Sequence, residues 1–289
     1  MTAGGTDRRR AWLGDRLVDA ELAGIALDDH GVTVGDGCFE TLKVVDGTPF
    51  ALTRHLARLG HSCAGLGLVV PDERLLREAC AAVVAAGGPD LGRLRITVTG
   101  GRAPLGSGRG AGGPTLTVLG GGAGTWEPST NVALCRWTRN ERSAVAGLKT
   151  TSYAENVVAL AWAAAQGASE ALLANSRGEL CEGTGSNVFV ALDGRLVTPP
   201  LSSGCLAGIT RELVLELDGV DIEARPLPVA ALAEVTEVFL TSSTRDVQPV
   251  HAVLVGDAVP PVEDLPAPGP LTAVVIDAFT ALQAATFDP

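Results

Sequence analysis

Four glycines within five residues, Gly120 to Gly124, separate two parts of the chain. So many glycines in a short stretch weaken any preference for helix or strand, which is typical of a connection between domains. On each side of this run, segments that alternate apolar and polar residues are interspersed with segments whose apolar residues recur at helical spacing. We therefore predict an α+β fold of two domains, residues 1–121 and residues 122–289.

Turn pairs and helical periods organise the first part. Residues 1–10 are polar and glycine-rich and are interpreted as a loose tail. Gly14-Asp15 and Asp46-Gly47 stand between apolar segments, so they predict two hairpins. From Thr53 the apolar residues recur at helical spacing, with Thr53 as a candidate N-cap. A second helix is predicted over residues 72–86.

A glycine-rich segment from Gly100 to Gly113 joins two predicted strands, residues 93–99 and 115–119. A connection this long between neighbouring strands is typical of a functional loop. In the second part, residues 257–270 are interpreted as a surface loop. The other predicted elements of that part are strands near 131–137, 169–174, 186–191 and 236–242 and helices near 154–166, 210–217 and 271–284.

Charge and cysteine usage exclude several classes of protein. The formal net charge of −11 argues against nucleic acid or an anionic membrane as a partner. No segment reaches the ~18 consecutive apolar residues that a membrane span needs. The six cysteines include no C-x-x-C pair, which favours reduced thiols over a zinc site or a disulfide framework. We expect a cytoplasmic protein that acts on a small molecule.

Lysine is rare in this chain, since only Lys43 and Lys149 are lysines among 22 basic residues. Arginine stays protonated, whereas a lysine amine can lose its proton and attack a carbonyl. A lysine that is retained against this bias therefore suggests a Schiff base with an aldehyde cofactor. The alternative is that Lys149 is an ordinary surface lysine.

Four other stretches are suited to an anion or to acid chemistry. Gly208 to Arg211 opens a predicted helix, whose free N–H groups favour a phosphate, and Thr241 to Arg245 offers hydroxyls and a cation after a strand. Arg58 lies on the first long helix, and Glu182 precedes a glycine-rich turn. The alternatives are helix capping for the first stretch, a plain turn for the second, a solvated charge for Arg58 and a surface carboxylate for Glu182.

The order of these motifs resembles the class IV, or fold-type IV, family of pyridoxal-phosphate enzymes. That family includes branched-chain and D-amino-acid aminotransferases and 4-amino-4-deoxychorismate lyase. The resemblance implies a two-domain fold with a small N-terminal α+β domain and a larger C-terminal domain built on a mixed sheet or barrel. The matching motifs are, in chain order, Gly35 to Thr41, His55 to Leu59, Lys149, Glu182 to Phe189, Thr198 to Pro200, Gly208 to Arg211 and Thr241 to Thr244.

The resemblance also implies pyridoxal 5'-phosphate as cofactor and a role for each matching residue. Lys149 would form the Schiff base and carry the substrate proton, and Glu182 would face the pyridine nitrogen. A carboxylate there keeps that nitrogen protonated, which makes the ring a better electron sink. Arg58 would hold the phosphate. The remaining phosphate contacts would come from Ile209, Thr210 and Ser243. A homodimer is implied as well.

Branched-chain aminotransferases carry a tyrosine five residues after the lysine, where this chain has Ala154. The only tyrosine, Tyr153, stands one place earlier. Either a contact with the cofactor or a place in the core is compatible with its position.

The loop from Gly100 to Gly113 bears on the choice of reaction. It lacks the Arg-x-His pair that D-amino-acid aminotransferases share, and its glycines and arginines resemble the lyase. We therefore predict a 4-amino-4-deoxychorismate lyase that releases pyruvate and 4-aminobenzoate in folate biosynthesis. The alternatives are an aminotransferase that acts on D-amino or branched-chain amino acids with a 2-oxo acid acceptor, and a catalytically inactive protein that binds the cofactor.

The lyase resemblance assigns the substrate side of the site. Thr41 would be a catalytic hydroxyl that handles a proton. Arg102 or Arg109 would pair with a substrate carboxylate, although a mobile, solvated loop is the alternative for both. Phe39 and Thr244 complete the predicted substrate contacts.

Overall fold

The computed structural model describes residues 10–255 and 261–289. Residues 1–9 of the tail predicted at residues 1–10, and residues 257–260 of the predicted loop, lie outside them, whereas Arg10 begins the first strand. The chain divides into two compact units. The first unit takes the chain as far as Gly124 together with Leu148–Ser152 and Asp288, and the second takes Thr125–Gly147, Tyr153–Phe287 and Pro289.

The first unit contains an antiparallel six-stranded sheet with the order β2-β1-β6-β5-β3-β4. Both predicted hairpins, at Gly14-Asp15 and at Asp46-Gly47, are confirmed. The strands are β1 (Arg10–Leu13), β2 (Arg16–Asp19), β3 (Gly37–Val45), β4 (Thr48–Pro49), β5 (Leu91–Thr99) and β6 (Thr115–Gly122), and the helices are α1 (His30–Thr33), α2 (Leu52–Leu66) and α3 (Glu73–Ala86).

Strand alternation gives this sheet one apolar face. Leu94, Ile96 and Val98 of β5 are buried in a core with residues of α2 and α3. Successive side chains point to opposite faces of a strand, so Phe39 and Thr41 of β3 lie on the face opposite that core. Candidate residues therefore lie on both sides of β3: Phe39 and Thr41 on this second face, and Glu40, which pairs with Arg58 of α2, on the core side.

Two details of the first unit differ from the prediction. The N-cap of α2 is Ala51, at φ 54°, rather than Thr53, and it makes no side-chain cap. The N–H and the hydroxyl of Thr53 both donate to the carboxylate of Asp288. Gly120 and Gly121 are not linker residues but part of β6, where a Cβ on Gly120 would meet a side-chain atom of Leu91 at 2.6 Å.

The second unit contains a mixed eight-stranded sheet with the order β12-β11-β10-β13-β14-β7-β8-β9. Its centre is parallel where β7 pairs with β14 and with β8. The strands are β7 (Thr130–Arg139), β8 (Glu170–Asn175), β9 (Leu180–Gly183), β10 (Asn187–Leu192), β11 (Arg195–Thr198), β12 (Ile222–Ala224), β13 (Glu237–Ser242) and β14 (Asp246–Val255), and the helices are α4 (Ala154–Ala165), α5 (Ile209–Leu215) and α6 (Pro270–Ala285).

The predicted α+β fold is confirmed, and the three helices of the second unit begin within one residue of their predicted starts. A hairpin predicted at Asp193-Gly194 is confirmed by the antiparallel pair β10 and β11, whereas the prediction missed β9, β12 and β14. All six cysteines are free and buried. No helix within residues 10–255 or 261–289 is long and apolar enough to cross a membrane.

Candidate active site

Lys149 is fixed through its backbone within the first unit. The N–H of Phe39 donates to the Lys149 carbonyl at 3.0 Å, and the Lys149 N–H donates to the Ser62 hydroxyl of α2 at 3.2 Å. The next residues continue this attachment, because the Thr151 N–H donates to the carbonyl of Gly37 at 2.8 Å. The lysine is therefore held against β3 on one side and α2 on the other.

The side chain of Lys149 lies over an aromatic ring. Its Nζ is 4.4 Å from the ring centroid of Phe39, and the guanidinium carbon of Arg95 is 3.5 Å from the same centroid. Phe39 is almost fully buried. Cations are attracted to the face of an aromatic ring, so this ring gives the amine a defined position. The sequence did not single out Arg95, which lies on β5 opposite Thr41.

Arg58 lies in a buried ion pair with Glu40. Its Nε and Nη2 donate to the two carboxylate oxygens at 2.8 and 2.6 Å, and His55 Nδ1 is 2.6 Å from the same carboxylate. Burial would raise the pKa of Glu40, but the charge and hydrogen bonds of Arg58, with those of His55, lower it to about 2. Burial lowers the pKa of His55, which the hydrogen bond to Glu40 partly offsets. Arg58 is thus held in one orientation by an ionised carboxylate, which the imidazole of His55 contacts as well.

In the second unit, Glu182 lies at the end of β9. Its Oε2 accepts the N–H of Leu206 at 2.9 Å, and its Oε1 is 3.2 Å from Nε of Arg139. Arg139 also binds Glu155 and Asn156, at the start of α4, through its other two nitrogens. The carboxylate of Glu182 is therefore buried and has a partner at each oxygen.

The glycine-rich turn after Glu182 is braced by a second buried carboxylate. Glu170 accepts hydrogen bonds from the N–H and hydroxyl of Thr184 and from the hydroxyl of Ser186. A Cβ on Gly183 would collide with the Ser186 hydroxyl, so a side chain there would displace that hydroxyl from Glu170. Glu170 also pairs with Arg245 at 3.1 Å, which joins this turn to the one that follows β13.

That second turn, Ser242 to Asp246, carries Ser243 and Thr244. The nearby helix α5 starts at Ile209 after Gly208, which provides no side-chain cap. The capping alternative for this stretch would make Thr210 the N-cap, but Thr210 lies inside α5. The hydroxyl of Thr241 is buried without a hydrogen-bond partner among the described residues. Uncapped helix N–H groups and hydroxyls are suited to a phosphate.

The two loop arginines have different surroundings. Arg102 binds both oxygens of Asp28 at the surface, and 73% of its side chain is exposed. Arg109 binds both oxygens of Asp36 and also the last carbonyls of α2. The hydrogen bonds of Arg109 lower the pKa of Asp36 against the effect of its burial. Arg109 therefore fastens the loop, whereas Arg102 is engaged only at the surface.

Tyr153 has a definite contact within the second unit. Its hydroxyl donates to the Thr184 carbonyl at 3.3 Å, and the Asn156 side-chain amide donates to the same carbonyl. Ala154 begins α4. Tyr153 thus helps to attach α4 to the turn that follows Glu182.

The groups present fit pyridoxal phosphate chemically. Lys149 supplies an amine, Arg58 a cation, Glu182 a carboxylate, and the uncapped start of α5 supplies N–H donors. An aldehyde, a phosphate and a basic ring nitrogen are the partners that such groups select.

A model of the family "Amino-transferase class IV" matches residues 37–253. The chain is 31% identical over 277 residues to the D-alanine aminotransferase of Bacillus licheniformis, covering 93% of this chain and 94% of that protein. It is 31% identical over 256 residues to the bifunctional aminodeoxychorismate lyase / D-amino acid transaminase of Mycobacterium tuberculosis, covering 78% of this chain and 84% of that protein. The crystal structure of 4-amino-4-deoxychorismate lyase from Pseudomonas aeruginosa is similar with a TM-score of 0.79 and 30% identity, covering 96% of this chain and 100% of that one.

Proposed function

Because the chain belongs to the class IV aminotransferase family, whose members are enzymes that depend on pyridoxal phosphate, we propose that it is a 4-amino-4-deoxychorismate lyase. It would release pyruvate and 4-aminobenzoate for folate biosynthesis in the cytoplasm. The observation that carries this proposal is the loop from Gly100 to Gly113. This loop has no histidine, and it presents Arg102 at its surface.

The bound cofactor supplies an electron sink for the bond that breaks at the substrate's Cα. Lys149, whose amine lies over the ring of Phe39, would hold the cofactor covalently and, after the substrate's amine has displaced it, would move the proton at Cα. Glu182 binds the ring nitrogen and keeps its proton in place. The phosphate is held by Arg58, by the backbone of Ile209 and Thr210, and by the hydroxyl of Ser243.

On the substrate side, aminodeoxychorismate carries two carboxylates. Arg102 is the better partner for one of them, because only the exposed carboxylate of Asp28 competes for it. Arg109 would have to give up Asp36 and two helix carbonyls. Phe39 and Thr244 line the substrate, and Thr41, on the same strand face as Phe39, supplies a hydroxyl for proton transfer.

An aminotransferase that uses D-amino or branched-chain amino acids and a 2-oxo acid acceptor is the second candidate. The D-alanine aminotransferase relative favours it, since the likeness extends over nearly the whole of both chains. A catalytically inactive cofactor-binding protein is disfavoured, because Lys149, Arg58 and Glu182 are all retained.

A paired assay separates these functions. The lyase proposal expects 4-aminobenzoate from aminodeoxychorismate with pyridoxal phosphate alone, because elimination needs no amino acceptor. If no aminobenzoate forms, while D-alanine or a branched-chain amino acid loses its amino group when 2-oxoglutarate is supplied, the enzyme is an aminotransferase instead. Failure of both reactions in protein that holds the cofactor would favour the inactive protein.

We also propose that the protein is a homodimer, as the family resemblance implies. Light scattering at micromolar concentration tests this. A monomer would contradict it.

A further inference from the structure

We infer that Arg139 is a positioning residue for Glu182: it holds the carboxylate ionised and in place, so that the proton shared with the cofactor stays on the ring nitrogen. This inference rests on the proposed role of Glu182. It assigns Arg139 a part in the chemistry that no motif in the sequence indicated.

The contact between the two side chains is electrostatic rather than a directed hydrogen bond. Arg139 Nε lies 3.2 Å from Glu182 Oε1. Yet Nε is buried and makes no aligned hydrogen bond within the described part of the chain. The other oxygen, Oε2, is occupied by the N–H of Leu206. The arginine therefore places its charge beside Oε1 without an aligned hydrogen bond to that oxygen.

Arg139 cannot turn toward Glu182 to improve this contact, because α4 holds its other two nitrogens. Nη1 binds the carboxylate of Glu155 at 2.6 Å, and Nη2 binds the side-chain oxygen of Asn156 at 3.0 Å. Asn156 in turn donates to the carbonyl of Thr184, two residues after Glu182. The start of α4 thus fixes the guanidinium against both Glu182 and the turn that follows it.

Two thiols close to Glu182, those of Cys181 and Cys205, do not supply such a charge. Burial raises the pKa of Cys181 and the pKa of Cys205, so both thiols are neutral near neutral pH. The Nη2 of Arg211 binds the carbonyl of Pro199. Arg139 lies at ion-pair distance from Glu182. A carboxylate beside a cation is a weaker base than the same carboxylate alone, so the ring nitrogen retains the proton.

The test is a pH titration of the visible absorbance band of the protein loaded with pyridoxal phosphate. In Arg139→Met the midpoint should rise by ~1 unit or more, because loss of a nearby cation favours the protonated form of the bound cofactor. Arg139→Lys, which keeps the charge, should shift the midpoint by less than half as much. The control is Arg136→Met, an exposed arginine of the same strand that stacks on Trp137, and it should leave the midpoint unchanged.

The same substitution made in a Glu182→Gln variant shows whether Arg139 acts through Glu182. When Glu182→Gln is already present, adding Arg139→Met should move the midpoint by less than half of its shift in the wild type. An unchanged midpoint in Arg139→Met, or an equal shift in Arg136→Met, would overturn the inference. If Glu182→Gln leaves the spectrum and its titration unaltered, the proposed role of Glu182 fails; if it alters them while Arg139→Met does not, only the inference about Arg139 fails.

Discussion

At the scale of single residues, the two lysines of the chain provide a matched pair. Lys149 has its backbone fixed and its amine over Phe39, whereas Lys43 Nζ lies 5.2 Å from the ring centroid of Phe50. Borohydride reduction of the protein loaded with pyridoxal phosphate should therefore label the peptide that contains Lys149, because only an amine bonded to the aldehyde is trapped. Peptide mapping by mass spectrometry measures this. Lys149→Arg should abolish the label and Lys43→Arg should retain it. A label on Lys43 would refute the assignment.

Arg58 gives the second prediction at this scale. Arg58→Ala should weaken binding of pyridoxal phosphate by ~1.5–3 kcal/mol, the contribution of one charge-assisted hydrogen bond. Binding of pyridoxal, which has no phosphate, should change much less, and the ratio of the two dissociation constants is the measurement. The control is Arg77→Ala, since Arg77 is an exposed arginine that pairs with Glu73 on α3.

The substitution also leaves the buried carboxylate of Glu40 without its main partner, so thermal unfolding must be recorded alongside. Equal losses of affinity for the two compounds would mean that Arg58 supports the fold and does not bind the phosphate.

At the scale of helices and strands, the sequence predicted an element correctly where contacts within that element determine its bounds. The helix from Glu73 starts where the sequence placed it, because Asp72 caps two N–H groups of its own first turn. The strand β14 was missed because Pro249 interrupts its apolar pattern, and a proline is unusual inside a sheet. Gly120 was read as a linker residue, but it lies in β6 because its missing side chain makes room for Leu91.

The contacts that hold the candidate site residues in place could not be predicted from neighbouring residues in the sequence. Lys149, Glu182 and Arg58 could be found because each stands in a motif with a recognisable order. Glu40 and Arg139 could not, since their importance comes from partners 18 and 43 residues away that the fold brings to them. The sequence predicted these three residues for the chemistry, but it did not indicate Glu40 or Arg139, which contact Arg58 and Glu182 in the structure.

The start of α2 provides a prediction about such a distant contact. The carboxylate of Asp288 accepts hydrogen bonds from the N–H and the hydroxyl of Thr53, 235 residues away. It thus replaces the side-chain cap that α2 lacks. Asp288→Ala should lower the free energy of unfolding by about 1 kcal/mol, as loss of a cap does elsewhere. Asp72→Ala should cost a similar amount at α3, whereas Asp277→Ala, on an exposed face of α6, should cost little. Denaturant titration measures all three. Stability of Asp288→Ala equal to that of the wild type would show that α2 does not depend on this contact.

At the scale of the whole molecule, the buried pair of Glu40 and His55 should make folding sensitive to acid. The pKa of Glu40 falls from 4.5 to about 2 on folding, so its contribution is complete above pH 4.5 and is lost as the pH falls toward 2. This contribution is on the order of 3 kcal/mol, at 1.36 kcal/mol for each unit. The pKa of His55 is lowered below 6.5, so the unfolded chain binds its proton first. Stability is therefore also lost as the pH falls from 6.5 toward the lowered pKa of His55.

Both groups destabilise the folded state on acidification, the loss due to His55 begins at the higher pH, and substitution separates the two contributions. His55→Gln keeps a donor for Glu40 but cannot be protonated, so it should flatten the loss of stability just below pH 6.5. Its control is His61→Gln, because His61 lies exposed on the same helix and should leave that slope unchanged. Urea midpoints between pH 7.5 and 3 measure the slopes. If His61→Gln flattens the upper window as much as His55→Gln does, the acid sensitivity comes from the surface and not from the buried pair that orients Arg58.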